Sequence, residues 1–151
     1  MEIQQNFVPY LIVKNAKLAI EFYADVFNGE IGDISYGDKI PELKNKEEAK
    51  NIIIHSQVFF KNKNNTFKYV LHFADSNDNE GGFSNKTIQG NNIQLSYDFE
   101  GDKDFQLKVF NKLKEEGAVI MDLKQQFWGA IYGMVVDKFG ITWQLNCLNK
   151  Q

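Results

Sequence analysis

The chain has 151 residues, 43% hydrophobic and 25% charged, which is ordinary globular usage and excludes a mostly disordered segment. Its formal charge of −3 and complete lack of arginine argue against a nucleic-acid reader, since Arg supplies the planar fork that reads guanine and clamps phosphate. Its one cysteine, Cys147, excludes an internal disulfide, and no apolar run approaches the ~20 residues that cross a bilayer.

Met1 to Asn6 lacks the charged and apolar regions of a signal peptide, so a cytoplasmic location without membrane contact is expected. The first predicted strand runs from Phe7 to Val13, with Pro9 near its start, where a missing N–H is tolerated. Asn15 is placed to cap a helix over Ala16 to Phe27, whose Ala19, Ile20, Tyr23, Val26 and Phe27 recur at helical spacing, and Gly29 supplies its stop. Glu30 to Tyr36 reads as a strand and Gly37 to Lys50 as a charged loop. Ile52 to Phe60 and Phe67 to Phe73 are strands joined by a turn-rich Lys and Asn segment. A polar, glycine-rich loop from Asp75 to Gly90 follows.

The second half repeats the order. Asn92 to Phe99 is a strand, and Asp102 caps a helix with Phe105, Val109, Phe110 and Leu113 on one face, ended by Gly117. Strands at Ala118 to Leu123, Ala130 to Val136 and Ile141 to Cys147 complete it. Each half is therefore βαβββ, and an offset of 88 aligns Phe22 with Phe110, Gly29 with Gly117 and Ile31 with Val119. The expected class is α+β: a single domain over residues 1–151, with modules over about 5–75 and 91–148.

Alternation then divides each strand into two faces. Phe67, Tyr69, Leu71 and Phe73 oppose Lys68, Val70 and His72; Ile93, Leu95 and Tyr97 oppose Asn92, Gln94, Ser96 and Asp98; Ile141, Trp143 and Leu145 oppose Thr142, Gln144 and Asn146. One face of each strand suits a helix. The semi-polar faces suit either solvent or, if the two sheets pair and curl with helices outside, the lining of a shared cup.

Gln126-Phe127-Trp128-Gly129, then Tyr132-Gly133, then Asp137-Lys138-Phe139-Gly140-Ile141-Thr142-Trp143 resembles the signature of PhnB-like proteins, a branch of the glyoxalase/bleomycin resistance/dioxygenase (vicinal oxygen chelate) superfamily. Pro9-Tyr10-Leu11, Glu21-Phe22-Tyr23, Val26-Phe27, Gly29 and His55 match the opening of the same family. The resemblance implies two βαβββ modules, a homodimer and a small-molecule partner. Asp137 to Gly140 reads as a hairpin turn, while Gly129 and Gly133 permit bending or close backbone approach. Such features specify a scaffold more than a chemistry.

Metal-dependent members hold a divalent ion with one ligand from each of four strands, and the resemblance places those positions at about Val8, His72, Asn92 and Gln144. Only His72 is a good donor, so no metal and no other cofactor is expected. The ligand-binding set is Tyr10, His55, His72, Gln94, Trp128 and Gln144, with no catalytic residue assigned. His55 fits a general base or a structural hydrogen bond at a strand end. Trp128 fits ligand stacking or packing, Trp143 fits the core, and Cys147 lacks a neighbour that would activate it. Glu80-Gly81-Gly82 lacks the rest of a phosphate loop, and Asp75 to Glu80 misplaces the glycine and glutamate of a calcium loop; a solvated loop or a lid remains.

The expectation is a metal-independent small-molecule-binding protein of PhnB-like type. The alternative is a metal-assisted lyase, isomerase or dioxygenase-like enzyme around His72 and Gln144. A third reading is a scaffold whose concavity is filled by Phe59, Tyr132 and Met134 and which serves only homodimer formation.

Overall fold

The computed structural model describes Ile3, residues 5–77 and residues 86–148. The Glu80-Gly81-Gly82 segment and half of the supposed lid lie outside the described residues. The chain forms two compact units, Met1–Thr87 and Ile88–Gln151.

In the first unit the elements are β1 (Tyr10–Val13), α1 (Ala16–Val26), β2 (Glu30–Tyr36), β3 (Ile53–Lys61) and β4 (Phe67–Asp75), with two short 3₁₀ turns, Gly37–Lys39 and Glu47–Asn51, between β2 and β3. The sheet order is β1-β4-β3-β2, with β1 parallel to β4 and the other pairs antiparallel. The second unit carries β5 (Leu95–Asp98), α2 (Lys103–Lys114), β6 (Ala118–Gln125), β7 (Ala130–Val136) and β8 (Thr142–Leu148). Its order is β5-β8-β7-β6, again with only the first and last strands parallel. The two halves thus share one topology, and the chain is the α+β, two-module, mixed-sheet architecture its element order predicts.

Each helix forms for local reasons and is held by its apolar stripe. Asn15 Oδ1 accepts the Leu18 N–H and Asp102 Oδ1 accepts the Phe105 N–H, capping α1 and α2. On α1, Ala16, Ala19, Ile20, Tyr23 and Val26 are buried. The Tyr23 ring stacks on Phe73 of β4 at 5.4 Å, and Phe27 meets Phe60 of β3 edge-on at 5.8 Å. Each fully buried large side chain contributes about 1.5–3 kcal/mol. Asp75 ties the unit together: its carboxylate accepts the Ala16 N–H at the start of α1 (2.6 Å) and the Ile53 N–H at the start of β3 (2.8 Å). On α2 the buried set is Gln106, Val109, Phe110 and Leu113, so Gln106 belongs to the core while Phe105 is only half-buried. The Gln106 amide donates to the Ile131 and Leu145 carbonyls of β7 and β8.

Four expectations need correction. The first strand begins at Tyr10, and Phe7 is 93% exposed, because pairing with β4 reaches back only to the Pro9 carbonyl, which accepts the His72 N–H. The fifth strand begins at Leu95, and Ile93 is 83% exposed in a bend. Tyr69 keeps its expected face, opposite Phe60, but is 38% exposed there, whereas Val70 on the other face is buried. Finally, Asn28 and Glu116 hold the left-handed conformation after the two helices (φ 53° and 57°), one residue before the glycines expected to do so. Gly29 and Gly117 are instead needed for space: a Cβ on Gly29 would sit 2.9 Å from the Phe59 carbonyl oxygen, and one on Gly117 2.9 Å from that of Leu113.

Candidate functional site

The helix-free face of the first sheet gathers three of the six expected ligand-binding residues. On β3, Ser56, Val58 and Phe60 are buried toward the core, whereas His55, Gln57 and Phe59 alternate onto the other face, half-buried. Pairing of β3 with β4 sets His72 opposite Gln57, and the parallel β1–β4 register sets Tyr10 beside His72. His55 Nε2 and His72 Nδ1 are hydrogen-bonded at 3.4 Å, with ring centroids 4.7 Å apart and the planes at 78°. The Tyr10 ring lies 5.6 Å from His72 and 5.8 Å from His55, and its hydroxyl donates to the Ile54 carbonyl at 2.8 Å. These are the only two histidines in the chain. Burial, reinforced by the neighbouring His55 ring, pushes the His72 imidazole below its ordinary value, and burial pushes the Tyr10 phenol up.

Around the two imidazoles the surroundings carry little charge. Ser35 of β2 pairs with His55. Glu30 shares the face of Phe59, its partner on β3, and reaches the Lys61 amino group at 3.8 Å. Lys68 alternates onto the same face as His72, its amino group 5.9 Å from the centre of the Tyr69 ring. Asp75 is on the opposite face, occupied by two backbone donors.

The second sheet has a polar helix-free face of its own. Trp143, Leu145 and Cys147 of β8 turn inward and are buried, so Gln144 and Asn146 turn the other way. The Gln144 amide donates to Gln94 Oε1 at 2.8 Å, and Asn146 donates to the Asp98 carboxylate at 3.0 Å. Gln94 lies just before β5. Trp128, 46% exposed, is not part of the Gln94–Gln144 pair: β8 pairs Gln144 with Met134, six residues further along. Its ring instead meets Tyr132 at 5.7 Å and Phe127 at 4.9 Å. Burial raises the Tyr132 phenol and, as the largest effect, the Cys147 thiol, which agrees with an unactivated cysteine.

Both hairpins carrying the signature motif are built alike. Gln126 N–H reaches the Ala130 carbonyl and Gly129 N–H the Gln126 carbonyl; Asp137 N–H reaches Ile141 and Gly140 N–H reaches Asp137. Gly129 (φ 85°) and Gly140 (φ 80°) occupy the left-handed position that this three-residue loop requires. The first loop leaves Phe127 97% exposed at its tip. Gly133, by contrast, is a close approach: a Cβ there would lie 3.0 Å from the Met121 carbonyl oxygen, where the β6–β7 register shifts.

The four positions of the superfamily's divalent ion do not supply a fitting donor set. Val8 has no side-chain donor atom, Asn92 is exposed in the bend before β5, and Gln144 offers only a neutral amide oxygen, its nitrogen donating to Gln94. Among the described residues, no three His, Cys, Asp or Glu side chains gather as metal ligands. His72 alone of the four is a strong donor for a first-row metal. Among the described residues, no helix is long and apolar enough to cross a membrane.

Comparison with known proteins accords with this architecture. No curated protein matches the chain. Protein PA1353 from Pseudomonas aeruginosa has a similar structure, with a TM-score of 0.73 at 26% identity over 97% of this chain and 100% of that one. A putative 3-demethylubiquinone-9 3-methyltransferase, PhnB protein, from Bacillus cereus superposes with a TM-score of 0.72 at 24% identity, covering 95% and 99%. The fosfomycin resistance protein FosX from Listeria monocytogenes shares the fold at 13% identity and a TM-score of 0.57, covering 95% and 93%. The PhnB-like resemblance read from the motifs is thus joined by a PhnB protein of like fold. The family model for the Glyoxalase/Bleomycin resistance protein/Dioxygenase superfamily matches residues 6–145, and the chain belongs to that superfamily.

Proposed function

We propose that the protein is a PhnB-like binder of small molecules that works without the superfamily's divalent metal. Its candidate ligand contacts are Tyr10, His55 and His72 on the helix-free face of the first sheet, and, in the second unit, Gln94 just before β5, Trp128 in the β6–β7 turn and Gln144 on β8. The observation that carries this reading is the His55–His72 pair, half-buried beneath Tyr10 with no carboxylate partner among the described residues. A purely structural role does not need the second imidazole, whereas a ligand site uses such paired polar groups. The donor set described above supports metal independence.

In this reading the two modules act as one domain of a cytoplasmic homodimer. The edge strand β6, which exposes Val119, Ile120 and Met121, supports the homodimer. Sedimentation equilibrium that returned a monomer would remove that part alone. The binding claim is tested by thermal-shift screening against a broad metabolite and antibiotic panel with chelator present. At least one compound is expected to stabilise the wild type and to lose most of its effect on His72→Ala. A panel with no stabilising compound contradicts the reading.

A further inference from the structure

The Tyr10 side chain crosses a whole strand. Tyr10 lies in β1, at the edge of the first sheet, beside His72 of β4. Neighbouring strands are spaced about 4.8 Å apart, yet its hydroxyl donates at 2.8 Å to the Ile54 carbonyl of β3, two strands away. The phenol therefore lies over β4 instead of standing off the sheet. Its ring meets that of His72 at 5.6 Å and that of His55 at 5.8 Å, and the two imidazoles are 4.7 Å apart, so the three rings form a nearly even triangle. Both imidazoles are half-buried. Among the described residues, the phenol is held by one hydrogen bond and these two ring contacts, and Tyr10 is 44% exposed.

We propose that Tyr10 is a latched cover: its phenol lies over the His55–His72 pair in the ligand-free protein, and a ligand reaches the imidazoles when the ring swings off the Ile54 carbonyl. The proposal rests on the small-molecule reading above and adds a gate to that site. Turning the side chain about its own bonds leaves β1 paired with β4 and Val13 buried. Opening gives up one neutral hydrogen bond in an exposed setting, which water replaces, and two tilted or edge-on ring contacts. Losses of that size leave the open form at about 1–10% of the population. Tyr23 is the contrast: it is fully buried and stacked on Phe73, and has nowhere to turn. Burial holds the Tyr10 phenol above its ordinary value, so the proton it donates is present at neutral pH. From the open position the ring can pack against the bound group, so Tyr10 keeps its place among the ligand contacts.

Diethyl pyrocarbonate, which acylates imidazole nitrogen, tests the cover on the full-length protein without any ligand. With only two histidines in the chain, the absorbance of the acylated imidazole and peptide mass mapping report both sites. At pH 8 both should react at least about tenfold more slowly than free N-acetylhistidine, because the open fraction sets the rate. Tyr10→Phe keeps the ring and removes the latch, so both rates should rise about fivefold, the equivalent of one hydrogen bond. Tyr10→Ala removes the cover and should react faster still. Amide spectra and melting temperatures confirm that each variant is folded. Wild-type rates equal to those of N-acetylhistidine, or rates in folded Tyr10→Phe no higher than in the wild type, would each overturn the proposal, and the first comparison needs no variant. A panel with no stabilising compound would remove the binding reading, whereas fast wild-type acylation would remove the cover alone.

Discussion

The Trp143 indole N–H donates to the Asp137 carboxylate at 2.8 Å, inside the hairpin that joins β7 to β8. The other carboxylate oxygen accepts the Phe139 and Ile141 N–H groups at 2.9 and 3.1 Å, and Asp137 is buried. One side chain therefore closes the turn and anchors a core tryptophan. Asp137→Ala removes the acceptor of three hydrogen bonds and should destabilise the protein by about 3 kcal/mol, while Trp143→Phe, losing one bond and little volume, should cost roughly half that. Urea denaturation of both variants checks the order; equal and small effects would show the carboxylate to be dispensable.

Asn28 and Glu116 occupy equivalent left-handed positions after the two helices. Asparagine adopts this conformation at less cost than glutamate, so Glu116→Asn should stabilise the protein by roughly 0.5–1 kcal/mol and Asn28→Glu should destabilise it by a similar amount. The exposed Lys138–Glu116 contact at 3.4 Å offsets little of the gain. Chemical denaturation of the pair tests this, and a loss of stability in Glu116→Asn would count against it.

Much of the architecture is legible because it is local. Caps at Asn15 and Asp102, the turn at Asp137–Gly140, and alternation in β3 and β8 follow from residues a few positions apart. Strand starts were harder to read: Phe7 and Ile93 continue an apolar pattern, but no neighbouring strand reaches them, and alternation does not report pairing. Long-range polar ties leave no local signal at all. Asp75 reads as the start of a loop although it clamps α1 and β3, and Gln106 reads as one polar residue on a helix although it lies in the core. Of the candidate site, alternation puts His55 and His72 on helix-free faces, yet only the β3–β4 register brings the two rings together.

The depressed His72 imidazole has a consequence for stability against pH. Its folded value lies below the ordinary 6.5, so as pH falls below about 6.5 the unfolded chain takes up a proton that the folded chain resists. That contribution is complete above this range and is lost on acidification. Unfolding free energies from pH 8 to pH 5 should therefore fall less steeply in His72→Gln than in the wild type. Parallel profiles would indicate that His72 titrates normally.

Metal content separates the two functional readings. Protein purified without chelators should hold less than about a tenth of an equivalent of any divalent metal, because a tight catalytic site would retain its ion. Its response to ligands should be the same before and after dialysis against chelator. Stoichiometric metal lost in His72→Ala would favour the metal-assisted alternative.

The most direct measurement is the imidazole ¹⁵N spectrum of His55 and His72 during titration with compounds that stabilise the chelator-treated protein. Metal-free ligand binding at this pair predicts that at least one such compound shifts both rings together, saturably, at the concentration that raises the melting temperature. Stabilising compounds that leave both imidazoles unmoved would contradict it.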